Sequence, residues 1–384
     1  MRRKSLGVAV LAAAAIALVP SAASAASWTR QTTVNPSGFV AASLSGAACP
    51  GSTSCFAAGR WDDGSGVPTA LLESWNGTSW SRATPAIPSG SAGTDLAGVH
   101  CTTTSECTAV GNYDDGAGTQ LPLIERWNGS SWALQSATVS GAQAVYLTGV
   151  QCSSASICTA VGAYVDSLGV QQTLALRWAS GSWSVQTTPN PSGFTSAYLS
   201  SISCTSSTAC TAVGAWSGGS GQQPLVMSWN GTRWSLGTPA AISGSSFALS
   251  GVACTSSSAC TAVGGAFAGG AYSPQAMRWD GSTWRLQSVS LPSGASGASL
   301  AGVSCTSSTH CSAVGYSYDS LGVLSAMPQL WNGSSWTAQT PPTISGSTGA
   351  NLAGIACRTS TECTAVGHWF DSSSVQATLA ERYN

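Results

Sequence analysis

The sequence predicts an all-β protein, a seven-bladed β-propeller with four antiparallel strands per blade, in which an N-terminal strand completes the C-terminal blade. Three observations lead to this fold. Fourteen cysteines fall into seven evenly spaced pairs. Each repeat defined by these pairs contains four short strand-like segments. In most repeats an Asn-Gly turn, or its Asp-Gly equivalent, lies between two tryptophans.

The composition excludes several classes of protein. Only 7% of the 384 residues are charged, against roughly 25% in ordinary globular domains. A coiled coil needs charged residues along its solvated faces, and a nucleic-acid-binding protein needs a basic surface that displaces counterions from phosphates. With 44 glycines, 16 prolines and long Ser/Thr stretches, the solvated surface must consist of neutral polar groups. This composition is typical of a β-rich, turn-rich protein.

Residues 1–25 have the features of a secretory signal peptide. Residues 2–4 are basic, residues 6–19 are apolar, and Ala23-Ser24-Ala25 is a small-residue cleavage site. The apolar run is shorter than the about 20 residues that a transmembrane helix requires. The Arg2-Arg3 pair leaves open whether export follows the general or the twin-arginine route. We therefore expect a secreted, extracellular protein.

The predicted mature chain, 26–384, forms a single propeller domain. It contains 10 basic and 14 acidic residues, so its net charge is about −4. A net negative charge favours neither anionic membranes nor nucleic acid as partners. The sequence therefore predicts no nucleic-acid partner and no membrane insertion, and we expect a monomer.

The cysteines define the repeat. Five residues separate the members of every pair, and successive pairs are 50 to 52 residues apart. In an oxidising compartment this pattern predicts a disulfide within each pair, whereas a metal site would need histidines that recur with the repeat. The pairs are Cys49/Cys55, Cys101/Cys107, Cys152/Cys158, Cys204/Cys210, Cys254/Cys260, Cys305/Cys311 and Cys357/Cys363.

The third repeat shows the four strand-like segments most clearly. One runs from Leu147 into Cys152, the next leaves Cys158, the third spans Thr173–Trp178, and the fourth begins at Trp183. Asn-Gly and Asp-Gly supply the positive φ angles of a tight hairpin between the last two strands. The tryptophans that flank this turn are interpreted as packing between neighbouring sheets. They are Trp75/Trp80, Trp127/Trp132, Trp178/Trp183, Trp229/Trp234, Trp279/Trp284 and Trp331/Trp336.

The ends of the chain indicate a closed ring rather than an open solenoid. Residues 380–384 match the third strand of a repeat, and residues 26–31 match the fourth. Each end therefore supplies the strand that the other lacks. A ring explains this split, since an open solenoid has no reason to divide one repeat between its two ends.

A strand ending in Ala-Val-Gly, a variable loop and two aromatics around a turn, as in Trp127-Asn-Gly-Ser-Ser-Trp132, resembles a kelch-type repeat of galactose-oxidase-like propellers. The chain is still more similar to the secreted Cys-Thr-Ala-Val-Gly repeat proteins of actinobacteria, most of which have no assigned activity. The resemblance covers all seven repeats and implies the fold. The paired kelch glycines are reduced to one except at Gly264-Gly265, and the cysteine pair is additional, so no kelch activity is implied.

Histidine is too scarce for recurring chemistry. His100 and His310 each lie beside a cysteine turn, and His368 lies in another repeat. We interpret all three as surface or turn residues. The radical copper chemistry of galactose oxidase needs Tyr and His ligands and a cross-linked Cys, so we predict no cofactor and no metal.

One set of residues recurs as a binding site would. Two positions after the Gly of Ala-Val-Gly stands an aromatic in five repeats, and four positions after it stands an Asp in five repeats. The aromatics are Trp61, Tyr113, Tyr164, Trp216 and Trp369, and the acids are Asp63, Asp115, Asp166, Asp319 and Asp371.

The acids have two open interpretations. Their side chains can hold the loop by hydrogen bonds to its backbone. Alternatively, they accept hydrogen bonds from the hydroxyls of a sugar that stacks on the neighbouring aromatic. The fourth and fifth repeats have Gly218 and Ala268 at this position, so we expect weaker binding there.

These observations predict a secreted, non-enzymatic recognition module that binds glycan or an extracellular protein. The long connections should share one rim, opposite the cysteine and Asn-Gly turns, and carry the ligand surface. The alternative is a glycoside hydrolase or lyase that uses two of the loop Asp residues. The sequence does not identify the ligand.

Overall fold

The computed structural model describes residues 26–219, 221–240, 242 and 246–384. The predicted signal peptide lies outside the described residues. The described residues form β-strands connected by turns and loops, with no helix among them. The part of the chain that the structure describes accordingly offers no helix that could cross a membrane.

The strands are numbered in chain order. They are β1 (Trp28–Gln31), β2 (Ala41–Gly51), β3 (Ser54–Asp62), β4 (Thr69–Trp75), β5 (Trp80–Ala83), β6 (Gly93–Thr103), β7 (Glu106–Asp114), β8 (Gln120–Trp127), β9 (Trp132–Leu134), β10 (Ala144–Ser154), β11 (Ile157–Val165), β12 (Gln171–Ala179), β13 (Ser182–Gln186), β14 (Ser196–Ser206), β15 (Ala209–Gly218), β16 (Gly221–Trp229), β17 (Trp234–Leu236), β18 (Ser246–Ser256), β19 (Ala259–Ala268), β20 (Ala271–Trp279), β21 (Trp284–Gln287), β22 (Gly297–Ser307), β23 (His310–Tyr318), β24 (Leu324–Ala326), β25 (Gln329–Trp331), β26 (Trp336–Ala338), β27 (Gly349–Thr359), β28 (Glu362–Phe370) and β29 (Gln376–Tyr383).

Each repeat forms a four-stranded antiparallel sheet, as the third repeat shows. β10 pairs with β11 across the cysteine turn, with Cys152 opposite Cys158. β11 pairs with β12, and β12 pairs with β13 with Trp178 opposite Trp183. The strand-turn-strand prediction and the hairpin prediction are both confirmed. The repetition of such sheets without helices is consistent with a propeller.

All seven predicted disulfides are present, and no cysteine of the described residues is free. The bonded residues face each other on adjacent strands, so each disulfide closes one small hairpin. Seven such bonds are typical of a protein that folds in an oxidising, extracellular environment. The bonds join Cys49 to Cys55, Cys101 to Cys107, Cys152 to Cys158, Cys204 to Cys210, Cys254 to Cys260, Cys305 to Cys311 and Cys357 to Cys363.

Hydrogen bonds group the strands into five sheets. Two of these contain eight strands, because a single parallel bridge joins two neighbouring repeats: Gln171 with Ser196, and Ala41 with Gln376. In the sixth repeat one strand is divided into β24 and β25 around Pro328. Proline lacks the N–H that a continuous ladder requires.

The first and last strands of the described residues meet. β1 pairs antiparallel with β29, from Trp28 opposite Tyr383 to Gln31 opposite Ala380. The Ser27 N–H also donates to the Asn384 carbonyl at 3.1 Å. The N-terminal strand therefore supplies the fourth strand of the last sheet.

The hydrophobic core lies between neighbouring sheets. In one cluster Val110 and Ile124 of the second repeat pack with Leu147 and Leu174 of the third. The tryptophan pairs belong to such clusters, and their ring centroids are 5.4 to 5.8 Å apart where an aromatic occupies both positions. The interpretation of these residues as packing between sheets is confirmed.

The Gly of Ala-Val-Gly is needed because two backbones approach closely. At Gly111 an added Cβ would overlap the Asp95 carbonyl oxygen. The register of β6 shifts between Leu96 and Gly98, directly beside this point. The bulge therefore explains why Gly recurs at the centre of each second strand.

Both tight turns lie on one rim. A Cβ on Gly77 of the first Asn-Gly turn would be 2.9 Å from Thr53 of the first cysteine turn. The other rim carries the long connections, where the Ala92 N–H donates to the Asp114 carbonyl at 2.9 Å. We call these the tight-turn rim and the long-loop rim.

Candidate functional site

On the long-loop rim, the predicted Asp residues close the loops between the second and third strands. Asp371 Oδ1 accepts hydrogen bonds from the backbone N–H groups of Ser373 and Val375, at 2.8 and 2.9 Å. Asp115, Asp166 and Asp319 accept from residues two and four positions onward in the same way, and Asp63 accepts from Ser65. The loop-holding interpretation is therefore observed, and a role in ligand binding stays a prediction.

These hydrogen bonds also set the charge of the loops. The pKa of Asp63 lies below its usual value because the Ser65 side chain and backbone donate to it. The Ala117 backbone N–H lowers the pKa of Asp115 most. The Gln172 side chain, which donates to Asp166 Oδ2 at 2.8 Å, is the main reason that the pKa of Asp166 is lowered. These three carboxylates are therefore ionised acceptors and are poor general acids.

The five predicted aromatics are half-buried and pack against the core of their repeats. Their rings are thus held in place by the scaffold. The Arg30 guanidinium carbon lies 4.6 Å from the ring centroid of Trp369 and covers one of its faces. All five lie near the long-loop end of a second strand: Trp61, Tyr113, Tyr164, Trp216 and Trp369.

Trp61 lines a cavity of about 250 Å³ on this rim. Arg60 and Asp62 line it as well, and Arg60 Nη1 forms a salt bridge with Asp95 Oδ2 at 3.1 Å. Burial raises the pKa of Asp95, and Arg60 opposes this shift. The sequence reasoning missed Arg60, Asp62 and Asp95. The doublet Asp62-Asp63, repeated as Asp114-Asp115, was the signal that could have identified Asp62.

The fourth and fifth repeats differ at this rim. β19 and β20 are joined by a two-residue turn, Gly269-Gly270, with φ angles of +61° and +86°. A two-residue hairpin has no room for the Asp-closed loop, which explains why Ala268 replaces the acid. Phe267 and Tyr272 flank this hairpin, each 41% exposed and with ring centroids 5.0 Å apart.

Several aliphatic and tyrosine side chains on this rim were also not predicted. Leu168 and Leu321 are 86% exposed at the tips of Asp-closed loops. The Tyr272 N–H donates to the Tyr318 hydroxyl at 2.9 Å, and the Gln222 side chain donates to the Tyr198 hydroxyl at 3.1 Å. Their signal in the sequence was weak, because none of these residues recurs at one position in most repeats.

The cysteines contribute to the scaffold and not to the long-loop rim. The second cysteine of a pair begins a central strand, and its side chain is enclosed between neighbouring sheets. In six repeats this residue is only 1 to 2% exposed: Cys55, Cys107, Cys158, Cys260, Cys311 and Cys363. Cys55 Sγ lies 3.7 Å from Thr364 Oγ1 of the seventh repeat, so the sulfur faces protein rather than solvent. These six residues are therefore structural. The cysteine spacing alone could not show which member of each pair is buried.

The first strands of the repeats line a central cavity of about 420 Å³. His100 lies on its wall, so the interpretation of this residue as a surface or turn residue is wrong. Its Nδ1 accepts the Cys152 N–H at 3.2 Å, and burial lowers its pKa to about 4. In other repeats Ser203 and Ser304 accept the equivalent N–H of the next repeat. The hydrogen bond to His100 is thus one of several that join neighbouring repeats.

Three buried glutamates occupy equivalent places on third strands. Glu125 Oε2 accepts the Ala86 N–H at 2.7 Å, and Glu73 accepts the equivalent N–H of Val34. At Glu381 the equivalent donor position is Pro342, which has no N–H, and neither carboxyl oxygen has a partner among the described residues. Burial raises the pKa of Glu73 and Glu125 to about 7 and that of Glu381 to about 8.

These glutamates are fully enclosed and cannot reach a substrate. Within the described residues, no three His, Cys, Asp or Glu side chains lie close enough together to hold a metal ion. The long-loop rim therefore remains the candidate site.

No known family model matches the chain, and no curated protein matches it. Solved structures do share its fold. An ulvan lyase, from a new family of polysaccharide lyases, has a TM-score of 0.57 at 8% identity, over 89% of this chain and 94% of that chain. A Hadza microbial sialidase has a TM-score of 0.50 at 10% identity, over 78% and 66%. A protein of unknown function from Dyadobacter fermentans has a TM-score of 0.50 at 10% identity, over 92% and 97%. At such identities the likeness shows the fold alone.

Proposed function

We propose that this chain is a secreted, non-enzymatic recognition module that binds glycan through its long-loop rim, with an extracellular protein as the other class of partner. The observation that supports this proposal most strongly is a pairing that recurs on that rim. An aromatic ring held by the core stands next to an ionised carboxylate that is anchored in its loop. Aromatic rings offer a flat face to the C–H surface of a sugar, and carboxylates accept from its hydroxyls.

The neighbours in fold support a glycan ligand. One of them is a polysaccharide lyase, whose structure is also known with bound -[GlcA(1-4)Rha3S]-. Their activities belong to those proteins, and here they favour one ligand class over the other. The neutral polar surface of this chain, with only 7% charged residues, suits an uncharged or weakly charged saccharide.

The scaffold in this proposal is a closed seven-bladed propeller. Each eight-stranded sheet divides into two blades at its single parallel bridge, and the other three sheets are one blade each. The pairing of β1 with β29 supports closure, and so does the contact between the first strands of the first and last repeats, β2 and β27. The equivalent loops would then surround one axis and bind a multivalent ligand with avidity.

The test is a glycan array of the mature chain, followed by a triple variant. Trp61→Ala, Tyr113→Ala and Trp369→Ala together should abolish binding to any glycan found on the array. The matched control replaces Asn76, Asn128 and Asn332 of the tight-turn rim by Ala and should retain binding. If binding survives in the loop variant and is lost in a folded control, the site lies on the tight-turn rim and the proposal is wrong.

One observation favours the alternative, a glycoside hydrolase or lyase. Asp95 has a raised pKa and forms a salt bridge with Arg60, which lines the same cavity as Trp61. A carboxyl of raised pKa is what a general acid requires. Product analysis after incubation with the array ligands decides between the two: cleavage that Asp95→Asn eliminates would establish an enzyme, and intact glycan supports the recognition module.

The proposal also includes removal of residues 1–25 and a monomeric state. N-terminal sequencing of the exported protein should begin at Ala26. Light scattering should give the mass of one chain.

A further inference from the structure

In four repeats an Arg side chain fills the junction with the next repeat. The Arg stands just before the first residue of the aromatic pair, and its guanidinium covers the equivalent aromatic ring of the following repeat. The distances from guanidinium carbon to ring centroid are 4.8 Å for Arg126 and Trp178, 5.4 Å for Arg177 and Trp229, 5.0 Å for Arg278 and Trp331, and 5.3 Å for Arg382 and Trp75.

Two of these guanidiniums also bind the next cysteine turn. Arg177 Nη2 donates to the Ser207 carbonyl at 2.7 Å, and Arg126 donates to the equivalent carbonyl of Ala155. The Arg thus lies between a ring face and a turn carbonyl.

The junction between the fourth and fifth repeats lacks this Arg. Ser228 stands in its place, and no guanidinium of the described residues covers Trp279. Trp279 Nε1 instead donates to the Ser257 carbonyl at 3.2 Å, which is the turn carbonyl equivalent to that of Ser207. At the two other junctions that lack the Arg, a different side chain is present. Phe56 packs on Trp127 at 5.7 Å in the first junction, and Leu330 occupies the position in the sixth.

A second side chain is missing at the same junction. The position three residues after the second tryptophan is Gln in most repeats and Gly237 in the fourth. At the next junction Gln287 Oε1 accepts the indole N–H of Trp336 at 2.9 Å, whereas Gly237 offers Trp284 no such acceptor. The backbone is unchanged, since the Gly237 N–H donates to Val226 at 2.8 Å just as the Gln135 N–H donates to Ile124.

The two missing side chains leave a groove of about 830 Å³, within the size range of small-molecule sites. Trp229, Trp279 and Trp284 line it together with Leu236, and Ser and Thr hydroxyls from both cysteine turns surround them. None of the lining residues is charged. The groove lies toward the tight-turn rim, away from the Asp-closed loops.

We propose that this groove is a second, separate ligand site and that it binds a neutral pyranose oligosaccharide, with one sugar ring on the Trp279 face that Arg covers elsewhere. An aromatic face bordered by uncharged hydroxyls matches the alternation of C–H and O–H groups on a sugar. The site goes beyond the proposed function, because it occurs at one junction only and shares no residue with the long-loop rim.

A free cation suits the groove less well. The guanidinium of Arg177 in the neighbouring junction has a lowered pKa because burial removes it from water. There the covalent chain holds the charge in place. An untethered cation would lose its hydration with no carboxylate in the lining to compensate.

The experiment uses the triple loop variant Trp61→Ala/Tyr113→Ala/Trp369→Ala as background, so that loss of rim binding and loss of groove binding are distinguishable. Tryptophan fluorescence is measured against neutral oligosaccharides of glucose, galactose, mannose, xylose or N-acetylglucosamine, and against argininamide. We expect saturable binding of at least one neutral oligosaccharide. Ser228→Arg, which restores the side chain of four other repeats, should reduce that affinity at least about tenfold without lowering the melting temperature.

The matched gain-of-site variant is Arg177→Ser with Gln186→Gly, which opens the preceding junction. It should bind a second equivalent of the same oligosaccharide. The proposal is overturned if no neutral oligosaccharide binds, if binding is unaffected by Ser228→Arg, or if argininamide alone binds. Because Ser228→Arg could disturb folding, Trp279→Phe serves as a second variant that keeps an aromatic ring, and it should weaken binding while the melting temperature is retained.

Discussion

The two rims of this molecule are built from the same strands, but their turns and loops differ in how much they vary from repeat to repeat. On the tight-turn rim, five turns follow one design, in which an Asn or Asp Oδ1 accepts backbone N–H groups two and three residues onward. The long-loop rim combines Asp-closed loops with two-residue hairpins and exposed apolar tips. The uniform rim serves the scaffold, and the variable rim is where loops on a rigid scaffold can acquire specificity.

The largest effect should come from removing the strand that both rims depend on. Deletion of residues 26–31 removes Trp28, which is 7% exposed and packs on Tyr383 at 5.4 Å, and leaves β29 with an unpaired edge. Loss of a buried Trp alone costs about 3–5 kcal/mol, and the open edge favours aggregation. Calorimetry should show a marked fall in melting temperature, which a synthetic peptide of residues 26–33 should partly restore. An unchanged melt would contradict the closed ring.

The next effect is a pH dependence of stability, which arises from a buried side chain of the scaffold and from neither rim. Glu381 has a pKa of about 8 when folded, against an ordinary value of 4.5, because it is buried. Its contribution to stability is therefore full below about pH 4.5 and is lost as the pH rises to about 8. The free energy of unfolding should fall by at most about 1.4 kcal/mol per pH unit for each such group.

Glu381→Gln should flatten this pH dependence in chemical denaturation measured from pH 5 to 9. Glu73→Gln is the matched variant: Glu73 accepts a hydrogen bond from Val34 and has a folded pKa of about 7, so its effect should end about one pH unit lower. Equal pH profiles for wild type and Glu381→Gln would refute the assignment.

A smaller effect should distinguish the rims by backbone strain. Gly77 has φ of +100°, and a Cβ there would be 2.9 Å from Thr53, whereas Gly38 on the long-loop rim has φ of +75° and open space around it. Gly77→Ala should cost about 2 kcal/mol and Gly38→Ala about 1 kcal/mol, because only the first adds a clash to the strain of a positive φ. Denaturant unfolding of the two variants measures the difference, and equal costs would show that crowding on the tight-turn rim is unimportant.

The smallest effect is expected in the Asp-closed loops. Asp371→Ala removes two hydrogen bonds to the loop backbone and should cost about 1 kcal/mol. Asp371→Asn keeps an acceptor and should cost less. If both variants unfold like the wild type yet bind glycan more weakly, the carboxylate serves the ligand rather than the loop.

The sequence by itself determined the repeat and its internal pairing. Strictly spaced cysteines, Asn-Gly turns and alternating strands are local signals, so the disulfides, the hairpins and the Trp packing followed from residues within one repeat. The end strands at Trp28 and Tyr383 also carried enough pattern to predict that they meet.

Only the tertiary structure decided what depends on the neighbouring repeat. His100 binds Cys152, Pro342 leaves Glu381 without a donor, and Ser228 uncovers Trp279, and each of these pairs joins residues about 40 to 50 positions apart. The sequence shows such residues as single deviations from a repeat. Their consequence appears only when adjacent sheets pack, because burial and hydrogen-bond partners are properties of the junction and not of either strand alone.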